Sequence, residues 1–133
     1  MRVYVDCTVP MAVASKDDPN RDAARAFLAK VQEREIAACT STHSLAEIVE
    51  RYAALKRHDL AQKVYDLFTA LCPEVLPMTL ADTDRARDLL LKVPGITPRA
   101  ALHTGVLHAN GIERIATFDP AFEGLPGVKR WEW

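Results

Sequence analysis

Three carboxylates in this chain are placed to do chemistry. Asp6 closes the apolar run Val3-Tyr4-Val5, Glu47 lies within "STHSLAEIVERY", and Asp119 follows "RIATF". Each has an ordinary explanation as well. Asp6 suits a strand-end turn bond, or a cap for a helix starting near Pro10. Glu47 fits the third position of a capping box opened by Ser44, or a solvated face shared with Glu50 and Arg51. Asp119-Pro120 is a common turn pair. If the three meet at the edge of one sheet, they repel and raise one another's pKa unless a cation sits among them. Hard oxygen ligands suit Mg²⁺ or Mn²⁺, which keep several waters and bind phosphate oxygens. An ion held that way activates water and offsets charge developing on a cleaved phosphodiester.

The remaining candidates carry less. His43, His58, His103 and His108 show no zinc spacing, and His103 and His108 stand about 140° apart around a helix. His103 reads as a packing or capping residue. Cys7 with a histidine and Asp119 could imitate a thiol hydrolase, but nothing places a base beside the sulfur. Cys39 and Cys72 read as core. There is no G-x-S-x-G, Walker or G-x-G-x-x-G motif. Arg99 is the basic residue expected at the crevice edge, where a phosphate would lie. Lys56-Arg57-His58, Arg85, Arg87 and Lys129-Arg130 read as solvated surface. Trp131 and Trp133 are expected to pack on one face of a terminal strand.

The elements that must position these groups alternate. Strands are expected at Val3–Val5, 36–40, "EVLPMT", Arg114–Phe118 and "VKRWEW", with Pro77 marking an edge or a strand end. Helices are expected near Met11–Ala14, after a cap at Asn20 or Asp22, over 44–56, 59–71 and 81–92, and over 97–110. Inward faces are Ala24, Phe27, Leu28 and Val31; Leu45, Ile48, Val49, Tyr52 and Leu55; and Leu60, Val64, Leu67, Phe68 and Leu71. The 97–110 helix is the best punctuated, with Thr97 as cap, Pro98 in its first turn and Asn110-Gly111 as its stop. This alternation implies an α/β three-layer sandwich, a mainly parallel β-sheet flanked by helices. Ligands in such folds lie beyond the carboxyl ends of the strands, where Asp6 and Asp119 are expected to face one crevice.

Bulk properties narrow the class. The 133 residues, 49% hydrophobic and 26% charged, suit one domain over 1–133. A formal charge of −1 excludes a wholesale polycation, so nucleic-acid binding would need a local patch. Three scattered cysteines without C-x-x-C point to reduced thiols in a cytoplasm. The N-terminus is too short in apolar residues for a signal peptide, and no window suits a membrane span.

With these residues in place, the chain resembles PIN domains, in particular the VapC toxins of prokaryotic toxin–antitoxin pairs. "VYVDCTVPMAVA" resembles the family's opening strand, Asp and hydroxyl residue. "STHSLAEIVERY" resembles its second motif, with the acid at Glu47. "TPRAALHTGVLHANGIERIATFDPAF" resembles its C-terminal signature, ending at Asp119. The resemblance implies a Mg²⁺- or Mn²⁺-dependent endoribonuclease in which Asp6, Glu47 and Asp119 hold the ion and Thr8 and Thr117 line the pocket. It further implies an RNA substrate, a homodimer and a small VapB-like antitoxin that blocks the acidic site.

One position departs. The family signature reads Pro-Arg-Asp-Ala, and this chain reads Pro98-Arg99-Ala100-Ala101, so Ala100 stands where a fourth metal ligand is expected. Loss of a directly ligating carboxylate should cost at least the roughly 10–100-fold typical of changes behind the ligands. Natural degeneration, a shifted metal site and deliberate disarming are each compatible with alanine there. Two other readings stand beside the nuclease. One is a non-catalytic PIN-fold binding or regulatory protein. The other is a phosphatase with Asp6 as nucleophile, disfavoured because Thr8 stands where a second Asp is needed.

Overall fold

A computed structural model describes residues 2–133. Five strands form one sheet: β1 (Arg2–Val5), β2 (Ala37–Ser41), β3 (Glu74–Leu76), β4 (Arg114–Ala116) and β5 (Lys129–Arg130). Their order is β3-β2-β1-β4-β5, and every pairing is parallel. Six helices connect them: α1 (Thr8–Ala14), α2 (Arg21–Gln32), α3 (Thr42–Ala54), α4 (His58–Leu71), α5 (Leu80–Lys92) and α6 (Pro98–Ala109).

Strand alternation sorts the core into two layers. Val3 and Val5 of β1 face Val9, Phe27, Ile48 and Phe68 from α1–α4. Tyr4, between them, points to the other face, where α6 supplies Val106 and Leu107 over Ile115 and Phe122. The result is the expected three-layer α/β sandwich. Because β2 and β4 flank β1 on opposite sides, the chain reverses its direction of winding between β1 and β4. The crevice at their carboxyl ends is the natural ligand position of such a sheet.

Close packing of α6 on α5 depends on Gly105. A Cβ there would stand 2.5 Å from the Asp82 carbonyl oxygen. At the end of the same helix, Gly111 takes φ +64, the left-handed stop that the sequence signals. Thr97 caps α6, its hydroxyl accepting from the Ala100 N–H at 3.1 Å.

Several sequence expectations need correction. Helix α3 starts at Thr42, capped by Ser41, so Ser44 is its third residue and Glu47 lies in its second turn. The Ser44 hydroxyl is drawn instead to the buried Tyr4 phenol. The capping box of this chain is Thr79 with Asp82, on α5. Asn20 occupies the cap position of α2 without a side-chain bond, and Asp22 lies inside that helix's first turn. Helix α1 begins at Thr8, earlier than expected, because Pro10 falls in its first turn, where no intrahelical N–H is needed. Strand β4 stops at Ala116, so Asp119 does not follow directly on a strand. Just past the strand, the Thr117 hydroxyl donates to Asp6 and accepts from the Asp119 N–H. Val49, Leu55 and Leu67, expected to face inward, are exposed.

Trp131 and Trp133 lie beyond the terminal strand expected to carry them, because β5 ends at Arg130, yet they still pack on a common partner. Both lie edge-on to Phe27, and Trp133 stacks on Phe118 with ring centroids 4.1 Å apart. Cys39 and Cys72 are buried core residues. No described helix is long and apolar enough to cross a membrane.

Candidate metal centre

The site grows from the carboxyl ends of β1 and β4. Asp6 continues the β1 ladder, its N–H donating to the Ala116 carbonyl. Its side chain is fully buried and both oxygens are used. Oδ1 accepts from the Thr8 N–H and hydroxyl, while Oδ2 accepts from Thr117 Oγ1 at 2.7 Å. Thr8 and Thr117 are therefore the clamps of Asp6. A carboxylate fixed this firmly suits a ligand better than a nucleophile.

Asp119 has two roles at once. Its Oδ1 accepts from the Ala121 N–H at 2.9 Å and caps the 3-10 turn Pro120–Phe122. Its Oδ2 faces the crevice. The ordinary Asp-Pro turn and the functional assignment are thus compatible, because each uses a different oxygen.

Arg99, in the first turn of α6, brings the three acids together. Its Nη2 donates to Asp6 Oδ2 at 2.7 Å, Nη1 to Asp119 Oδ2 at 2.8 Å and Nε to Glu47 Oε2 at 2.8 Å. Its guanidinium also lies 5.6 Å from the centre of the Phe122 ring. Burial works to lower the Arg99 pKa, but the charge and hydrogen bond of Asp6 outweigh it and raise it further. The sequence placed this arginine at the crevice edge for a phosphate. In the structure it is the cation among the carboxylates.

Glu47 divides its oxygens between two neighbours. Oε2 joins Arg99, and Arg51 approaches it at 3.4 Å from one turn further along α3. Oε1 meets Nε2 of the fully buried His103. Nδ1 of His103 is 2.7 Å from the Tyr4 hydroxyl, which also contacts Ser41 at 2.6 Å and Ser44 at 3.2 Å. Burial opposes ionisation of Glu47, yet the His103 hydrogen bond and the nearby positive charge hold its pKa down at about 2.

His103 is the residue that sequence reasoning undervalued. Arg99 and His103 are four apart on α6, and His43 and Glu47 are four apart on α3, so each pair shares a helix face. That doubled spacing is a signal the sequence carries. The absence of zinc spacing among the four histidines hid a grouping that the fold makes. His43, Glu47 and His103 offer ligand atoms within 4.8 Å of one another. His58 and His108 lie elsewhere, and His108 contacts the Pro126 carbonyl oxygen. Cys7 is not an activated thiol: burial, followed by the charges of Asp6 and Glu47, pushes its pKa up to about 12.

Ala100, next to Arg99 in the first turn of α6, is fully buried and counts among the apolar cluster that includes Tyr4, Leu107 and Phe122. Side chains at Arg99 and His103, not at position 100, carry α6's contacts to the acids.

The donor set fits a divalent cation. Three carboxylates facing one guanidinium leave a surplus of two negative charges. The oxygens are hard donors, and Arg99 is a long side chain that can leave them. Hard oxygen donors with surplus negative charge suit a divalent cation.

Known proteins place this geometry in context. The chain matches the PIN domain family over residues 3–128. It is 33% identical over 128 residues to ribonuclease VapC13 of Mycobacterium tuberculosis, spanning 96% of this chain and 98% of that protein. It is 32% identical over 117 residues to ribonuclease VapC23 of the same species, spanning 88% of this chain and 92% of that one. Among solved structures, the sarcin-ricin-loop-cleaving toxin VapC20 of M. tuberculosis superposes with TM-score 0.76 at 19% identity. That match covers 96% of this chain and 98% of the toxin. FitAB bound to a DNA fragment superposes with TM-score 0.73 at 15% identity, covering 98% of this chain and 94% of that one.

Proposed function

The chain belongs to the PIN-domain family, and from that premise we propose that it is a VapC-like endoribonuclease toxin of one domain over 1–133. Its relatives of about one-third identity over nearly their whole length are named ribonucleases. The observation that carries the reading is the convergence of Asp6, Glu47 and Asp119 on a single guanidinium at the sheet's switch point. Asp6, Glu47 and Asp119 would hold Mg²⁺ or Mn²⁺, which when bound would supply activation of water and neutralisation of charge on a cleaved phosphodiester.

The chain's own residues do the rest. Thr8 and Thr117 fix the direction of both Asp6 oxygens. Arg99, once released from the carboxylates, is placed to pair with a phosphate through its planar fork. A groove of about 440 Å³ opens beside Thr8; its lining mixes Arg51 and Arg57, paired with Glu47 and Asp59, with Asp18 and apolar side chains such as Met11 and Leu60. The reading extends to a cytoplasmic homodimer and to a small VapB-like antitoxin that covers the acidic crevice. A toxin–antitoxin complex from Klebsiella pneumoniae shares the fold with TM-score 0.70.

Ala100 weakens catalysis in this reading, because it supplies no oxygen to the ion. The decisive comparison is RNA cleavage by the chain and by its Ala100→Asp variant, with Mg²⁺ or Mn²⁺ and with chelator. Cleavage that appears or rises in the variant and vanishes with chelator is the expected result. A variant that neither binds the ions nor cuts any of a broad RNA set would end the nuclease reading. The same alanine favours a second reading, a non-catalytic regulator that retains its antitoxin. Co-purification of a small partner, with both forms inert on RNA, would support that one.

A further inference from the structure

Beside the acid pocket lies a second donor set of different chemistry. His43 and Glu47 project from one face of α3, one turn apart, and His103 meets them from α6. Their ligand atoms lie within 4.8 Å of one another, and the two imidazole rings are 4.7 Å apart between centroids. Two nitrogens and one carboxylate oxygen are the ligands of a borderline transition cation, not of Mg²⁺.

The surroundings of His103 are those of a metal-binding histidine. A ligating imidazole has its other nitrogen tied to a fixed partner, which sets its tautomer and aim. Nδ1 of His103 is tied at 2.7 Å to the Tyr4 hydroxyl, itself held by Ser41 and Ser44. Nε2 is thereby aimed at Glu47 Oε1. His43 is only half-buried, so the third ligand stands on the solvent side and leaves an entry path.

The distances fit with a small adjustment. Two ligands bound tetrahedrally at about 2.0–2.1 Å lie roughly 3.3 Å from each other. His103 Nε2 and Glu47 Oε1, now in direct hydrogen-bond contact, would part to admit the ion, and the group, whose ligand atoms lie within 4.8 Å of one another, would close around it.

We propose that His43, Glu47 and His103 form a zinc-type site, in which Glu47 is shared with the acid pocket through its other oxygen. The ion would take the place of the hydrogen between His103 Nε2 and Glu47; the ring's one remaining hydrogen then sits on Nδ1 and is donated to the Tyr4 hydroxyl, so that the ligating imidazole is neutral. The fourth position is left to water. The site rests on the same fold as the nuclease reading but not on RNA cleavage. It gives a chain with alanine at position 100 a way to hold a cation beside Asp6 and Asp119.

The test is Zn²⁺ titration by calorimetry, with the visible absorption of Co²⁺ as a probe of coordination, on tag-free full-length protein. The expected result is one Zn²⁺ per chain and a Co²⁺ spectrum typical of low-coordinate nitrogen and oxygen ligands. Replacing half-buried His43, as His43→Ala, should weaken binding at least about tenfold without unfolding the chain. His58→Ala, at an exposed histidine on α4, should leave the affinity unchanged. Equal Zn²⁺ affinity in the parent and His43→Ala, or no binding by the parent, would overturn the site. Neither result depends on whether the chain cuts RNA, so the two proposals fail separately.

Discussion

The two sides of Glu47 live in different surroundings. On one side, Oε2 joins Arg99, Asp6 and Asp119 in a cluster that opens to solvent through half-buried Asp119. On the other, Oε1 joins His103, Tyr4, Ser41 and Ser44, all fully buried. The open side carries excess negative charge, countered mainly by Arg99 and, at Glu47, by Arg51. The closed side is a satisfied polar network, each member of which has a partner. The first arrangement meets solvent and a long guanidinium; the second fixes the aim of the two ligand atoms, His103 Nε2 and Glu47 Oε1, through buried hydrogen bonds.

Removing Arg99 should separate the two sides most sharply. Arg99→Ala leaves three carboxylates facing one another, and breaking such a pairing typically costs about 3–5 kcal/mol. Urea unfolding in chelator should show that loss, and millimolar Mg²⁺ or Mn²⁺ should recover much of it. An Arg99→Ala chain as stable in chelator as the parent would mean that the acids are not held by this arginine.

Tyr4→Phe acts only on the closed side. It strips a partner from buried His103 and Ser41, a loss expected to cost about 1–3 kcal/mol. Divalent-dependent stabilisation at the open side should survive it. If Tyr4→Phe abolished that response, the two networks would be one unit.

Acid titration has the smallest effect near neutrality. Glu47 is held at about 2 against an ordinary value of 4.5. A depressed carboxylate contributes its stability fully above the ordinary value and loses it as pH falls toward the folded one. Tm should therefore be insensitive to Glu47 above about pH 5 and decline through the range below. The decline should be shallower in Glu47→Gln; an identical profile would remove Glu47 from the account.

Much of this was legible in the sequence, for identifiable reasons. The apolar run before Asp6 announces a buried strand whose end faces a crevice, and the α6 punctuation placed Arg99 in a first turn. Helical period alone could have paired Arg99 with His103. What sequence could not supply was the union of α3 with α6, which joins Glu47 to residues 52 and 56 positions away. Two serines three apart, Ser41 and Ser44, both suit the cap of α3; Ser41 takes it, accepting from the Ser44 N–H, and the buried Tyr4 phenol contacts both hydroxyls. Asp119 was assigned to the right crevice for an incomplete reason, since a threonine-mediated turn, not a strand end, presents it. The close approach at Gly105 depends on which helix lies opposite, and a lone glycine in a helix does not say.

The account's central claim is that Asp6, Glu47 and Asp119 form a divalent-cation pocket that Arg99 fills in the ion's absence. Mn²⁺ titration followed by electron paramagnetic resonance, on the parent and Arg99→Ala, tests it most directly. Removing the competing guanidinium should tighten Mn²⁺ binding by about tenfold or more, and adding Asp6→Asn should abolish the gain. Mn²⁺ affinity that is unchanged by Arg99→Ala, or insensitive to Asp6→Asn in that background, would contradict it.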